Sequence, residues 1–349
     1  GGKFIMAIID KPSDYFNTKL YTGTGSSNAV TGVGFQPDFI WGKSRDTADS
    51  HFLVDVIRGA TKHVRSDSDG AQFTRAQDVK TIDSDGFTVG TDNLVNKLND
   101  DFASWNWLGS NTTASNGNGS ITSTVSVNAT SGFSVVKWTG SGANATIGHG
   151  LGATPSMLLV KNATATGGWR VWHQDLTSTQ TLQLNTTAAV NTSAGQFNSS
   201  ATFNSTVFSV GGEGDTNQSS QTIISYSFAE KPFFSKMSSY TGNGNANGPF
   251  VYTGFKPAFI IRKNINAADE WTLIDSTRSP FNPTNETLVP NSTAAGSTDW
   301  DTDILSNGFK PRTVESAHNG NGNTIIYMAF AENPFVTSTG NGSIPATAR

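Results

Sequence analysis

The sequence contains no cysteine. Disulfides, thiolate metal sites and cysteine nucleophiles are therefore excluded. Charge is also scarce: 14% of the 349 residues are charged, against roughly 25% in an ordinary globular chain. Net charge is −4 and there is no run of Lys or Arg. A nucleic-acid partner needs a basic patch to displace counterions from phosphates, so none is expected. No apolar stretch approaches the roughly 20 residues of a membrane-spanning helix, so membrane insertion is not expected either. Long segments rich in Ala, Leu, Glu and Lys are missing, which argues against long helices. The chain opens GGKFIMAIID, without an initiating Met or a signal-peptide pattern, and the reading expects sequence upstream of Gly1.

What fills the composition is Gly, Ser, Thr and Asn, with 36 glycines and 22 phenylalanines. Asn, Gly and Ser belong in turns, whereas Thr and the aromatics fit strands. The expectation is an all-β protein of short strands.

One phrase occurs three times: GFQPDFIWGK (34–43), GLGATPSMLLVK (150–161) and GFKPAFIIRK (254–263). Each is preceded by an aromatic-Thr-Gly signal, at Tyr21, Trp138 and Tyr240. Each continues into a second, alternating strand: HFLVDVIRG (51–59), WRVWHQDL (169–176) and WTLIDSTRS (271–279). A turn and a third strand follow, and 50, 53 and 52 residues separate Pro37 from Phe87, Pro155 from Phe208 and Pro257 from Phe309. Each unit closes on an apolar strand: DDFASWNWL (100–108), TIISYSFAE (222–230) and TIIYMAFAE (324–332). The repeat is too long for a solenoid rung of ~20–50 residues. It predicts three tandem antiparallel β-sandwich domains, jelly-roll-like, of one repeated type.

The expected boundaries are 21–109, 123–235 and 236–336, with 110–122 a Gly/Ser/Asn-rich linker and 337–349 a polar C-terminal tail. Residues 123–138 read as an extra hairpin. Segment 1–20 is expected to be a connector or the closing strand of a preceding repeat, because FIMAIIDKPSDYFNTKLYTG (4–23) parallels IISYSFAEKPFFSKMSSYTG (223–242).

Candidate chemistry is sparse. No HExxH, P-loop, dinucleotide fingerprint or G-x-S-x-G elbow is present, so no catalytic residue, metal or cofactor is expected. The glycine-rich GSGANATIGHGLG (140–152) lacks a strand-to-helix context and reads as a turn and a strand. His51, His63, His149, His173 and His318 recur at different points of the repeat and read as partly buried or surface strand residues. SDSDG (66–70) and DSDG (83–86) resemble half of a calcium loop but lack its bidentate Glu. Asp67, Asp69, Asp83 and Asp85 therefore read as turn formers, with calcium ligation the alternative. Among Trp41, Trp105, Trp107, Trp138, Trp169, Trp172, Trp271 and Trp300, most fall at core positions. Trp169 and Trp271 match across copies, suggesting shared packing. Trp300, in TDWDTD, is the candidate for an exposed ring. The ligand-binding residues are otherwise unknown from sequence.

The runs YTGNGNANGPFVYTGFKPAFIIRK, WTLIDSTRSP, LSNGFKPRT and TIIYMAFAENPF resemble a repeated domain of virion-associated proteins of tailed, mostly marine, bacteriophages. GVGFQPDFIWGKSR and WRVWHQDL extend the resemblance over about residues 4–335. It implies a non-enzymatic structural component of a virion, tail-fibre-like and touching the host surface. Its partners would be other virion proteins, further copies of itself and a host surface glycan. Strand-rich domains in a row would make a stalk. The alternatives are a capsid decoration protein and a carbohydrate-binding module of a secreted microbial protein. A fold of this kind does not choose among them.

Overall fold

The computed structural model describes residues 9–198 and 202–334. Apart from one 3-10 turn and four single-turn helices, its regular structure is strand, so the protein is all-β. Three units carry the same main sheet. In the first, Phe16–Thr22 pairs with Asp101–Trp107, which pairs with Phe39–Ser44 and then Phe52–Asp55. The second uses Phe133–Thr139, Thr222–Phe228, Met157–Asn162 and Arg170–His173 in that order. The third uses Ser235–Thr241, Thr324–Pro334, Phe255–Asn264 and Thr272–Asp275.

The register repeats as well. Trp107 faces Phe16 and Phe39, Phe228 faces Phe133 and Met157, and Phe330 faces Ser235 and Phe259. A smaller antiparallel sheet covers one face of each main sheet, pairing Val30 with Phe87, Ile147 with Phe208 and Val251 with Phe309. The closing strand is buried nearly throughout because it lies mid-sheet with both faces covered. Successive residues point to opposite faces. Trp105 and Trp107 therefore enter one core while Phe102 enters another.

The aromatic-Thr-Gly signal ends the first strand of each unit rather than opening the unit. A Cβ on Gly23, Gly140 or Gly242 would sit 2.0–2.3 Å from the carbonyl oxygen of Lys97, Gln218 or Gly320. Only glycine permits that approach. A buried Asn at the end of three of the single-turn helices, one per unit, secures the turn: Asn96, Asn217 and Asn319 accept from the backbone N–H of Thr24, Ser141 and Asn243. Pro37 and Pro155 precede their strands, but Pro257 lies inside one, at a register shift. A bulge is where a strand tolerates a residue without an N–H.

Two expected boundaries move. Phe16–Thr22 belongs to the first unit's sheet, although the sequence reading placed 1–20 outside it. Segment 110–122 is not a free linker. Ala114–Asn116 pairs with Ser123–Asn128, adding an outer edge beside Phe133–Thr139. The buried Asp38 carboxylate accepts from the N–H groups of Gly109 (2.7 Å) and Asn111 and from the Ser126 hydroxyl. The low hydrophobicity of 110–122 hid this, because backbone pairing and one carboxylate hold it rather than apolar burial. The hairpin expected at 123–138 is present. Residues 4–8 and 337–349 lie outside the described residues; Ile9 is buried in the central core.

The three units do not form a row. One core takes Phe39, Trp41, Trp105 and Trp107 from the first, Met157, Leu159, Tyr226 and Phe228 from the second, and Phe259, Ile261, Met328 and Phe330 from the third. Trp107 alone makes ring contacts with Phe16, Phe39, Phe133, Phe228, Phe259 and Phe330. Each unit also keeps an outer core between its own two sheets.

Candidate functional site

The polar chemistry of the chain concentrates at three junctions, where each unit meets the next around the shared core. The second strands place His51, Trp169 and Trp271 at matching positions. Trp169 Nε1 donates to the Arg65 carbonyl of the first unit at 2.7 Å. Trp271 Nε1 donates to the Gln183 carbonyl of the second at 2.8 Å. His51 Nε2 lies 3.0 Å from the Val289 carbonyl of the third. Backbone bonds repeat the cycle: Gln72 N–H to Ala163 O, Val190 N–H to Ile265 O and Gly296 N–H to Arg45 O. Second meets first, third meets second, and first meets third. The ring is closed, as in a cyclic trimer of like subunits.

Four positions further along the same strands stand Asp55, His173 and Asp275, all buried. Asp55 holds Arg58 and accepts from the Tyr226 hydroxyl of the second unit at 3.0 Å. Asp275 holds Arg278 and accepts from Trp105 Nε1 of the first unit at 3.1 Å. Tyr226, Met328 and Trp105 occupy one position of the closing strand. Where that position is Met328, which has no hydrogen to donate, the facing acid is replaced by His173, and Leu176 stands where the arginine would be. An acid with nothing to pair with would be costly to bury. His173 Nε2 instead reaches the Tyr327 carbonyl at 3.4 Å.

The lysine that ends the repeated phrase is buried in every unit. Lys43 donates to the carbonyls of Ser44 and Thr47. Lys161 donates to Asn162, Gly167 and, in the first unit, Asp69. Lys263 donates to Ala267, Asp269 and, in the second unit, Thr187. Burial pushes all three ammonium groups down to about 8.

The five histidines are fully buried, more so than the sequence reading expected. Burial lowers His51 and His63 to about 3 and His149 and His173 to about 4, and lowers His318 as well. Hydrogen bonds fix the tautomers of His51, His149 and His173. His51 Nδ1 accepts from Trp41 Nε1 at 3.0 Å, so Nε2 carries the proton. His149 and His173 accept at Nδ1 from the backbone of Leu151 and Asp175. His63 lies 3.4 Å from the buried Asp78, which burial raises to about 7. The two are pushed toward their neutral forms.

The Asp-rich turns serve protein partners. Asp67 accepts from the His51 N–H, Asp83 from the Thr88 hydroxyl, and Asp85 from the N–H groups of Gly32 and Gly34. Asp69 contributes its carbonyl to Lys161 and Gly167. Among the described residues no three His, Asp or Glu side chains gather where a metal ion could sit. Seven of the eight tryptophans are buried. Trp300 is half-buried, 5.8 Å from the His318 ring.

Sequence reasoning missed Asp55, Arg58, Asp275, Arg278, Tyr226, Lys161 and Lys263 as junction residues. The signal was present: Asp-x-x-Arg occurs at the same place in the first and third copies and not in the second.

A family model described as a domain of unknown function, DUF7483, matches residues 11–334, so the chain belongs to that family. No curated protein and no solved structure matches it.

Proposed function

We propose that this DUF7483 protein is a non-enzymatic structural component of a tailed-phage virion, a tail fibre or appendage that touches the host surface. The observation that carries the reading is the closed ring. Three like units enclose one apolar core, and the buried ionisable groups at the junctions hold unit to unit. Lys161 and Lys263 reach carbonyls of the neighbouring unit, Asp55 and Asp275 accept from its closing strand, and His51 and His173 meet its carbonyls. A catalytic site would leave such groups facing a cleft and a substrate. The sequence resemblance to virion-associated repeats supplies the particle.

A second reading, a capsid decoration protein, is favoured by the cyclic arrangement itself. A single chain with threefold-like faces suits a threefold position on a shell, where three equal surfaces are offered.

Electron microscopy of the native particle tests both. Density for this chain in appendages on the tail is the expected result. Density on the head shell would replace the appendage with the decoration reading. A chain found only free of particles would overturn the virion assignment.

A further inference from the structure

We propose that the junction between the first and second units binds an acidic sugar. The three junctions are copies of one another, so each serves as a control for the rest. At the junction of the third and first units, Glu286 pairs with Arg45 at 2.7 Å across the surface. The first-unit counterpart of Glu286 is Lys62, since Val64 and Leu288 make the same bridge, to Leu53 and Leu273. The second-unit counterpart of Arg45 is Ala163, since both accept the same backbone bond. An ion pair at one junction is thus a lysine facing an alanine at the other.

The space left is a pocket of about 310 Å³. Arg58, Lys62, Gln72, Thr124, Lys137 and Thr222 line it, and no acid does. The pocket at the counterpart junction is about 150 Å³ and contains Asp46 and Glu286. Among the described residues, neither Lys62 nor Lys137 enters a salt bridge.

A hexuronate suits this lining. Its carboxylate can accept from the two lysines. Its hydroxyls suit the threonines. The volume is at the lower end of small-ligand sites, ~300–1,000 Å³, and suits about one ring. Inorganic phosphate would engage the lysines but not fill a pocket of this volume. The proposal rests on this geometry and not on the particle reading.

The test is calorimetric titration of the intact chain, at low salt, with a galacturonate trimer, a neutral galactose trimer and inorganic phosphate. The acidic trimer should bind, and the neutral one at least about tenfold more weakly. Lys62→Ala and Lys137→Ala should each weaken the acidic trimer about tenfold, the loss expected for one charge-assisted hydrogen bond. Lys62→Glu, which restores the charge of Glu286, should abolish binding. Lys62 is exposed and Lys137 half-buried, so melting temperatures should stay near that of the parent. No binding by the parent chain at millimolar trimer, or binding by both alanine variants as tight as the parent's, overturns the site. Phosphate binding as tightly as the acidic trimer overturns the sugar assignment.

Discussion

The central core and the outer cores are made by the same strands. Thr324–Pro334 turns Ile326, Met328 and Phe330 inward and Tyr327, Ala329 and Ala331 outward. The outer cores each draw on one unit, and a unit could assemble its own. The central core needs all three, and removing any one would bare the tryptophans and phenylalanines of the other two. The difference separates what a unit can do alone from what makes the chain one body. Exposed apolar patches of that kind are rarely left open on a monomer.

Trp107→Ala strikes the shared side of this comparison. It should cost about 4–5 kcal/mol, the upper range for removing a buried aromatic, and hydrogen exchange should quicken in all three units together. Phe208→Ala strikes the outer core of the second unit alone. It should cost about 3 kcal/mol, with faster exchange concentrated in that unit. Equal, global loss of protection in both variants would erase the distinction.

The junction pairs sharpen it next. Asp55→Ala and Asp275→Ala should each cost about 3 kcal/mol in denaturant unfolding, because each leaves a buried arginine uncompensated. His173→Asp restores the residue of the other two copies yet should destabilise, since Met328 and Leu176 give it no partner. Adding Leu176→Arg to His173→Asp should recover part of the loss. An unimpaired His173→Asp chain would show that the facing residue does not dictate the choice.

Acid should act on all three units, and on two of the junctions through His51 and His173. Each buried histidine has a folded pKa below its unfolded value of about 6.5. The unfolded chain then binds more protons, and stability falls as pH drops below that value. The slope is about 1.4 kcal/mol per pH unit for each histidine still neutral in the fold. Asp78 opposes this, since its carboxyl is raised to about 7 and is already neutral in acid. Five histidines against Asp78 and Asp38, whose carboxyl burial also raises, should give a melting temperature that declines from pH 6.5 downward, before ordinary carboxylates titrate. A flat profile to pH 5 would contradict their neutral burial. The smallest effect should come from Glu286→Ala. Its partner Arg45 is 22% exposed and Glu286 35%, so the expected loss is under about 1 kcal/mol.

Much of the fold is legible in the sequence because it is local. The alternation of HFLVD, the turn at Asp85-Gly86 and the recurring aromatic-Thr-Gly signal place strands and turns without knowledge of their partners. The pairing order was not legible, since Phe16 and Trp107 meet across the whole unit. Nor was the ring. Whether a strand's inward face meets its own second sheet or another unit depends on contacts such as His51 with Val289, 238 residues apart. The repeated lysine was visible, but Lys ordinarily reads as solvent-facing. Its carbonyl cage is formed by loops whose path the sequence does not reveal.

Scanning calorimetry of the intact chain tests the central claim most directly. One closed body predicts a single transition whose calorimetric and van't Hoff enthalpies agree, shifted as a whole by Trp107→Ala. Two or three separable transitions, only one of which moves in that variant, would mean that the units are independent domains and that the shared core does not bind them into one.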